Sequence, residues 1–372
     1  MIVPSKPFPS LNINYSRSNY LDLSNIEFFG SGRKALLAGL TALGLKKGDS
    51  ILVPAYICES AIRPLQAYGF KLIFVDIDNN LSLPINKISK IFKSDSSIMA
   101  LITVHYYGIT SDINELSALC RKYNVKVVED ASHSFMTQLL RDRSNINGDI
   151  EIFSMRKNVP VLDGGALRMN NAENLITKND IYSVSKISSS KFLILRLIEK
   201  LLIKIGINIY APNLESLIKK IRNKSAPEIY SSNFDSYNAS KQLSRYLGNK
   251  EYLSQSQLRI VGNFNKLSNS IQNCGLRLFL KSVEINVIPQ ACVVHDDNGG
   301  LVDYLRLNGI GAWQWPHNEL PQEVLNNPDY FPNAILFEKK LVLLPIHKDI
   351  TDKHIQYINK VIERWTLHLK KS

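Results

Sequence analysis

Val127-Val128-Glu129-Asp130-Ala131-Ser132-His133-Ser134 is the stretch that decides the fold. A short branched apolar run that ends in carboxylates and then in small polar residues reads as a strand buried on both faces, opening onto a loop at its carboxyl end. Runs of the same kind stand at 50–53, 71–75, 98–104, 125–128 and 150–153. Between them, 32–44, 60–68 and 113–123 have helical spacing; in the first, Ala35, Leu36, Leu37, Leu40 and Leu43 recur on one face and Gly44 lies at the stop. Strand and helix alternating in this way predict an α/β domain with a mainly parallel sheet flanked by helices. Ligands of such sheets sit beyond the carboxyl ends of the strands, which is where Asp130 and Lys157 both fall.

The chain has 372 residues, 45% hydrophobic and 21% charged, enough for two packed domains of a soluble protein. After about residue 230 the text turns polar. Helical spacing then resumes over 241–271, followed by strand-like runs at 276–280 and 291–294 and helices at 300–308 and 352–369. This predicts a large domain over 1–235 and a smaller C-terminal α+β domain over 236–372. Cys58, Cys120, Cys274 and Cys292 have no paired spacing of the metal or redox kind, so free thiols in a reducing cytoplasm and no metal site are expected. The first nine residues hold prolines and no apolar core behind a basic start, which does not read as a signal peptide.

The net charge of +12 suits phosphate-bearing partners such as nucleic acid, membrane lipid or a nucleotide-linked substrate, and equally a merely basic composition. The segment 192–209 is mostly apolar, and its charged residues Arg196, Glu199, Lys200 and Lys204 fall within roughly 140° of a helical arc. It is too interrupted for a membrane span. A helix buried at a domain or subunit contact is the expectation here, with membrane-surface association the less favoured reading and nucleic acid set aside.

Asp130, His133, Lys157 and the pair Gly164-Gly165 together suit pyridoxal 5'-phosphate. A carboxylate must keep the pyridine nitrogen protonated, a polar side chain must meet the ring hydroxyl, and a lysine must condense with the aldehyde. A helix opening at Gly32 would offer free amides to a phosphate, with charge from Arg33 and Lys34.

In chain order, Gly30-Ser31-Gly32-Arg33-Lys34-Ala35-Leu36, Gly48-Asp49-Ser50-Ile51-Leu52-Val53-Pro54, Val75-Asp76-Ile77-Asp78, His105-Tyr106-Tyr107-Gly108, Glu129-Asp130, Phe153-Ser154-Met155-Arg156-Lys157 and Asp163-Gly164-Gly165-Ala166-Leu167 resemble the DegT/StrS-type sugar aminotransferases, a branch of the fold type I pyridoxal phosphate enzymes. The likeness covers the first half of the chain. It implies the aspartate aminotransferase-like fold, with catalytic Lys157 as Schiff-base lysine and Asp130 on the pyridine nitrogen. It further implies His133 at the ring hydroxyl and Gly32, Arg33, Lys34 and Ser154 around the phosphate. Many members place four residues between the serine and the lysine, whereas only Met155 and Arg156 intervene here.

The stacking aromatic expected after the Val-Pro element is replaced by Cys58, which leaves Tyr56 as the candidate. His105, Trp315, His317 and His347 are candidate substrate contacts, and Asn238 a candidate for reaching a neighbouring subunit. By resemblance, glutamate would donate an amino group to a nucleotide-linked keto-sugar in polysaccharide or antibiotic sugar biosynthesis, in a homodimer with shared sites. The rival readings are a dehydratase-like relative, disfavoured because such relatives replace the lysine with histidine, and a non-catalytic basic scaffold.

Overall fold

The computed structural model describes residues 1–8, 26–140, 148–161, 164–170, 186–225 and 246–370. Seven strands, β1 (Ile26–Phe29), β2 (Ser50–Pro54), β3 (Lys71–Val75), β4 (Ile98–Val104), β5 (Lys126–Asp130), β6 (Ile150–Ser154) and β7 (Gly165–Met169), form one sheet in the order β1-β7-β6-β5-β4-β2-β3. Only β7 runs against the rest, pairing antiparallel with both β1 and β6. Every residue of β2, β6 and β7 is buried; β2 accordingly reads as an apolar run rather than as alternation, while β6 buries Glu151, which accepts from Arg168 of β7 at 2.7 Å. The helices Gly32–Ala42, Glu59–Tyr68 and Asn114–Lys122 stand where helical spacing predicts them. β1 and β7 escape the sequence pattern, one because it has four residues and the other because it opens on glycine, which weakens a strand signal.

The glycine pair answers a steric demand. Gly164 has φ +116°, and a Cβ on Gly165 would lie 2.2 Å from the Ser31 carbonyl carbon and 2.3 Å from the Gly32 nitrogen. The start of β7 therefore passes backbone against backbone under the loop that opens the helix Gly32–Ala42. Gly108, at φ +94°, does the same elsewhere, since a Cβ there would meet the Ile288 carbonyl oxygen at 2.3 Å.

The second half contributes the helix Lys250–Asn273, whose first turn is capped by the Asn249 side chain accepting from Tyr252 N–H at 2.9 Å. A two-stranded ribbon pairs β8 (Cys292–His295) antiparallel with β9 (Leu341–Leu344), and the helix Asp352–Leu369 closes the chain. The strand expected at 276–280 reduces to one bridge, Leu278 to Val294. The two halves share a core: Phe331, Ala334, Phe337, Leu341 and Leu343 pack with the residues of the large sheet. Asp76 clamps the same joint, accepting Asn333 N–H and Ala334 N–H at 3.0 Å each, at the start of the helix Pro332–Lys340. Residues 1–8 associate with the C-terminal half, where buried Val3 bridges Ile310. The domain boundary expected near 235 and Asn238 lie outside the described residues.

Because backbone cannot yield to a methyl group as a flexible side chain can, Gly165→Ala is expected to lower unfolding free energy by about 1–3 kcal/mol in denaturant titrations. Gly262→Ala, inside the helix Lys250–Asn273 with no atom within 4 Å of the added carbon, is expected to raise it by about 0.5–1 kcal/mol.

Candidate active site

At the carboxyl ends of β4, β5 and β6, a cavity is lined by Ser31, Gly32, Arg33, Cys58, Asp130, Ser132, His133, Ser154, Arg156, Lys157 and Trp315, over an apolar floor that includes Ile57, Val104 and Ile152. Asp130 and Lys157, 27 positions apart in the chain, thus face one space. Ser154 ends β6 and is the N-cap of the one-turn helix Met155–Asn158, so Ser154 and Lys157 sit three residues apart, the spacing that puts two side chains on one face of a helical turn. The shortened spacing between serine and lysine is taken up by this turn.

The helix Gly32–Ala42 begins at the cavity wall. Lys34 N–H and Ala35 N–H both bond to the Ser31 carbonyl, at 3.1 Å each, which leaves the amides of Gly32 and Arg33 as the first-turn donors for an anion. The Lys34 side chain does not line the cavity; Arg33 and Arg156 do. Gly32 is held close to Ser154 and Ser132, because a Cβ there would meet Ser154 Cβ at 3.3 Å and Ser132 Oγ at 3.5 Å. Two hydroxyls and two amides converge at this end.

Asp130 is buried, and its Oδ1 accepts the Ser132 N–H at 2.9 Å. Lys157 is half-buried, and burial pulls its pKa below the ordinary lysine value; Asp130 and Cys58 oppose the shift, while Arg156 and Arg33 add to it. His133 is 2% exposed and lies between Tyr107, stacked at 5.9 Å, and Trp315, edge-on at 4.6 Å. Burial first, then the charges of Lys157 and Lys6, hold its imidazole well below its usual pKa, so it is neutral. Its buried Nδ1 has no hydrogen-bond partner among the described residues, a costly state that a bound hydroxyl would relieve.

Tyr56 is turned away from this cavity. It is wholly buried, donates its hydroxyl proton to the Trp315 carbonyl at 2.6 Å, and therefore accepts from the Tyr107 hydroxyl at 2.5 Å. Its place is to hold the Trp315 backbone, while Cys58 takes the wall position. His105 is also away from the cavity, with no exposed surface. Its Nδ1 accepts the Ser111 N–H at 3.1 Å, so Nε2 donates to Glu129 at 2.7 Å. His317 is exposed on a loop at φ +54° and lines neither chamber.

A second chamber adjoins the first through His133, Lys157 and Trp315. It is walled by Ser5, Lys6, Pro7, Ile288, Gln290, Trp313 and His347 among others. His347 is buried, its Nε2 donates to the Pro4 carbonyl at 2.9 Å, and burial pushes its pKa down to about 4. Lys6, Ser132 and Arg156 were not candidates from the sequence. Ser132 and Arg156 were legible as neighbours of the two key residues, but Lys6 lies 151 positions from Lys157 and left no signal. Among the described residues no group of three or more His, Cys, Asp or Glu could hold a metal ion.

The Cys58 thiol lies 3.0 Å from a Glu319 carboxylate oxygen, and burial together with that contact raises its pKa. Since the thiolate is the reactive form, iodoacetamide labelling of Cys58 is expected to be slower at neutral pH than that of a small free thiol and to climb as pH rises past about 8.5. A ligand filling the cavity should protect Cys58 and leave half-exposed Cys274 unprotected, as read by peptide mass spectrometry.

The model of the DegT/DnrJ/EryC1/StrS aminotransferase family matches residues 18–217. Among curated proteins, the UDP-4-amino-4,6-dideoxy-N-acetyl-beta-L-altrosamine transaminase of Campylobacter jejuni is 30% identical over 162 residues, covering 43% of this chain and 43% of that protein. The GDP-perosamine synthase of Vibrio cholerae is 27% identical over 176 residues, 44% of this chain and 47% of that one. The chain thus aligns with less than half the length of these relatives. Of solved structures, a DegT DnrJ EryC1 StrS aminotransferase from Brucella abortus superposes with TM-score 0.67 at 14% identity, over 95% of this chain and 92% of that one. A Streptococcus pneumoniae structure described as a sugar aminotransferase in its PLP form gives 0.70 at 15% identity, over 99% and 100%. With the sheet, the cavity and a family match over more than half of its residues, the chain belongs to the DegT/DnrJ/EryC1/StrS aminotransferase family.

Proposed function

We propose that the chain is a pyridoxal phosphate-dependent aminotransferase that passes an amino group, with glutamate as donor, to a nucleotide-linked keto-sugar in polysaccharide or antibiotic sugar biosynthesis. We place it in the cytoplasm as a homodimer. The observation that supports this most directly is the single cavity shared by Asp130, His133, Lys157, Ser154 and the helix opening at Gly32. By their names, the relatives above are a transaminase of a UDP-linked amino sugar and a synthase of GDP-perosamine, which supports the substrate class.

The residues fit the cofactor on their own chemistry. Gly32 and Arg33 amides and the Ser154 hydroxyl suit a phosphate, the Asp130 carboxylate a protonated ring nitrogen, and the unpartnered His133 Nδ1 a ring hydroxyl. Pyridoxal phosphate, when bound, supplies an electron sink for charge developing at the substrate carbon. The protein's part is then positioning and proton handling. Ser132 N–H fixes the Asp130 carboxylate, so that acid holds its proton partner in one orientation. Lys157 Nζ, its pKa lowered by burial, gives up its proton more readily than an ordinary lysine, which suits it to attack a carbonyl and to carry a proton between neighbouring carbons. Trp315 and the apolar floor of Ile57, Val104 and Ile152 exclude water. The second chamber, opening on Lys157, receives donor and acceptor in turn, and Lys6 offers its ammonium to a carboxylate or phosphate there.

Incubation of the protein with pyridoxal phosphate is expected to give a visible absorption band that changes on adding glutamate; a chain with neither behaviour sinks the reading. Lys157→Ala should lose the band and lower turnover by about 10³-fold or more. A protonated amine cannot attack, so the rate of band formation rises with pH through the lowered pKa and levels off before the ordinary lysine value of about 10.4. In steady-state assays Lys6→Ala should raise the KM of an anionic substrate by about tenfold with a smaller change in kcat, as expected when uniform binding is removed.

A further inference from the structure

We propose that the helical hairpin of Lys186–Lys204 and Pro212–Ser225 docks on a lipid surface rich in anionic headgroups. The segment 192–209 is expected at a domain or subunit contact; within this single chain one face of the hairpin is open. Ile194, Leu197, Ile198, Leu201 and Ile205 are exposed, with Leu201 at 58% and Ile205 at 61%. At about 100° per residue these five fall within an arc of about 100°, an unbroken apolar stripe. Leu217 and Ile221, four residues apart on the second helix, are exposed as well. Leu195 and Glu199 lie on the buried side.

Charge names the occupant. Lys200 and Lys204 are exposed along one flank of the stripe, and Lys220 is exposed next to Ile221. Residues 186–224 include nine basic residues against two acidic ones, Glu199 and Glu215. Both acids are already engaged in ion pairs, Glu199 with Arg196 and Glu215 with Arg306. What faces outward is apolar surface edged by ammonium groups, the pattern of a helix lying in the headgroup plane. No described helix is long and apolar enough to cross a membrane. A second copy of the chain is the weaker occupant, because a two-fold contact brings the same surface against itself, and that surface offers lysines with no acidic partner: both acids of the segment are already paired.

The hairpin also adjoins the substrate chamber. The Tyr210 hydroxyl accepts the Ser5 N–H at 2.8 Å, and Arg196 donates to the Pro7 carbonyl at 3.2 Å and covers the Phe8 ring at 4.7 Å. Ser5, Lys6 and Pro7 are chamber wall. The docking surface therefore lies behind the strap that closes the chamber.

The test is flotation of the full chain with vesicles of phosphatidylcholine alone or with about 30 mol % phosphatidylglycerol. The expected result is binding to the anionic vesicles alone, declining as salt is added. Leu201→Asp with Ile205→Asp should weaken it by about tenfold or more, and Lys200→Glu with Lys204→Glu by roughly tenfold. Circular dichroism checks the fold of each variant, and the charge-reversal pair decides the matter if the first pair does not fold. Equal binding of the unmutated chain to both vesicle types, or none to either, overturns the proposal. So does binding that neither pair alters, or a molar mass in light scattering that halves in the Asp variant, which would assign the face to a second copy.

Discussion

The site depends on one steric constraint, the passage of the start of β7 beneath Ser31 and Gly32 with no room for a Cβ. At 2.2 Å from the Ser31 carbonyl carbon, that carbon atom would lift the loop that opens the first helix. The loop in turn sets the two amides at the end of the cavity lined by Ser132 and Ser154, and the far end of the same loop is pinned by β1, which pairs Phe29 with Gly165. A single antiparallel strand inserted between two parallel ones thus brings a helix N-terminus against the strand end that bears Ser154. Backbone sterics come first here, and the electrostatics follow from them.

Burial then sets the protonation states. The same enclosure lowers the pKa of Lys157 and of His133, and in both cases it favours the neutral form. The proposed carbonyl chemistry needs this shift toward the neutral form at both groups, and the Asp130 carboxyl is steadied by a backbone amide. Cys58 responds in the same direction, its thiol kept protonated by burial and by Glu319, so a cysteine stands on the cavity wall without being a strong nucleophile. Trp315, held by Tyr56 through its carbonyl, is the shared wall of both chambers.

The N-terminal strap links the site to the rest of the molecule. Val3 joins it to the C-terminal half, His347 holds the Pro4 carbonyl, and Tyr210 of the hairpin holds Ser5. One short segment is consequently in contact with the second chamber, the small sheet half and the basic hairpin. A change in how the hairpin is seated has a direct covalent and hydrogen-bonded route to Lys6.

The sequence by itself determined the five parallel strands β2 to β6, the helices after β2 and β4, and the Asp130, His133 and Lys157 set, because buried parallel strands leave short apolar runs and residues facing the cavity follow at their carboxyl ends; the helix Ile85–Ser94 went unread. It also located the glycines, though their reason, a backbone contact with residues more than 130 positions away, is invisible in a string. Tertiary structure alone decided which histidines face the site. His105 and Tyr56 are site candidates by resemblance, but hydrogen bonds to Glu129 and to the Trp315 carbonyl turn them into the core. It alone brought Lys6 to Lys157, and it alone left the stripe from Ile194 to Ile205 open, since whether an amphipathic face is covered depends on what the rest of the chain can reach and not on the face's own periodicity.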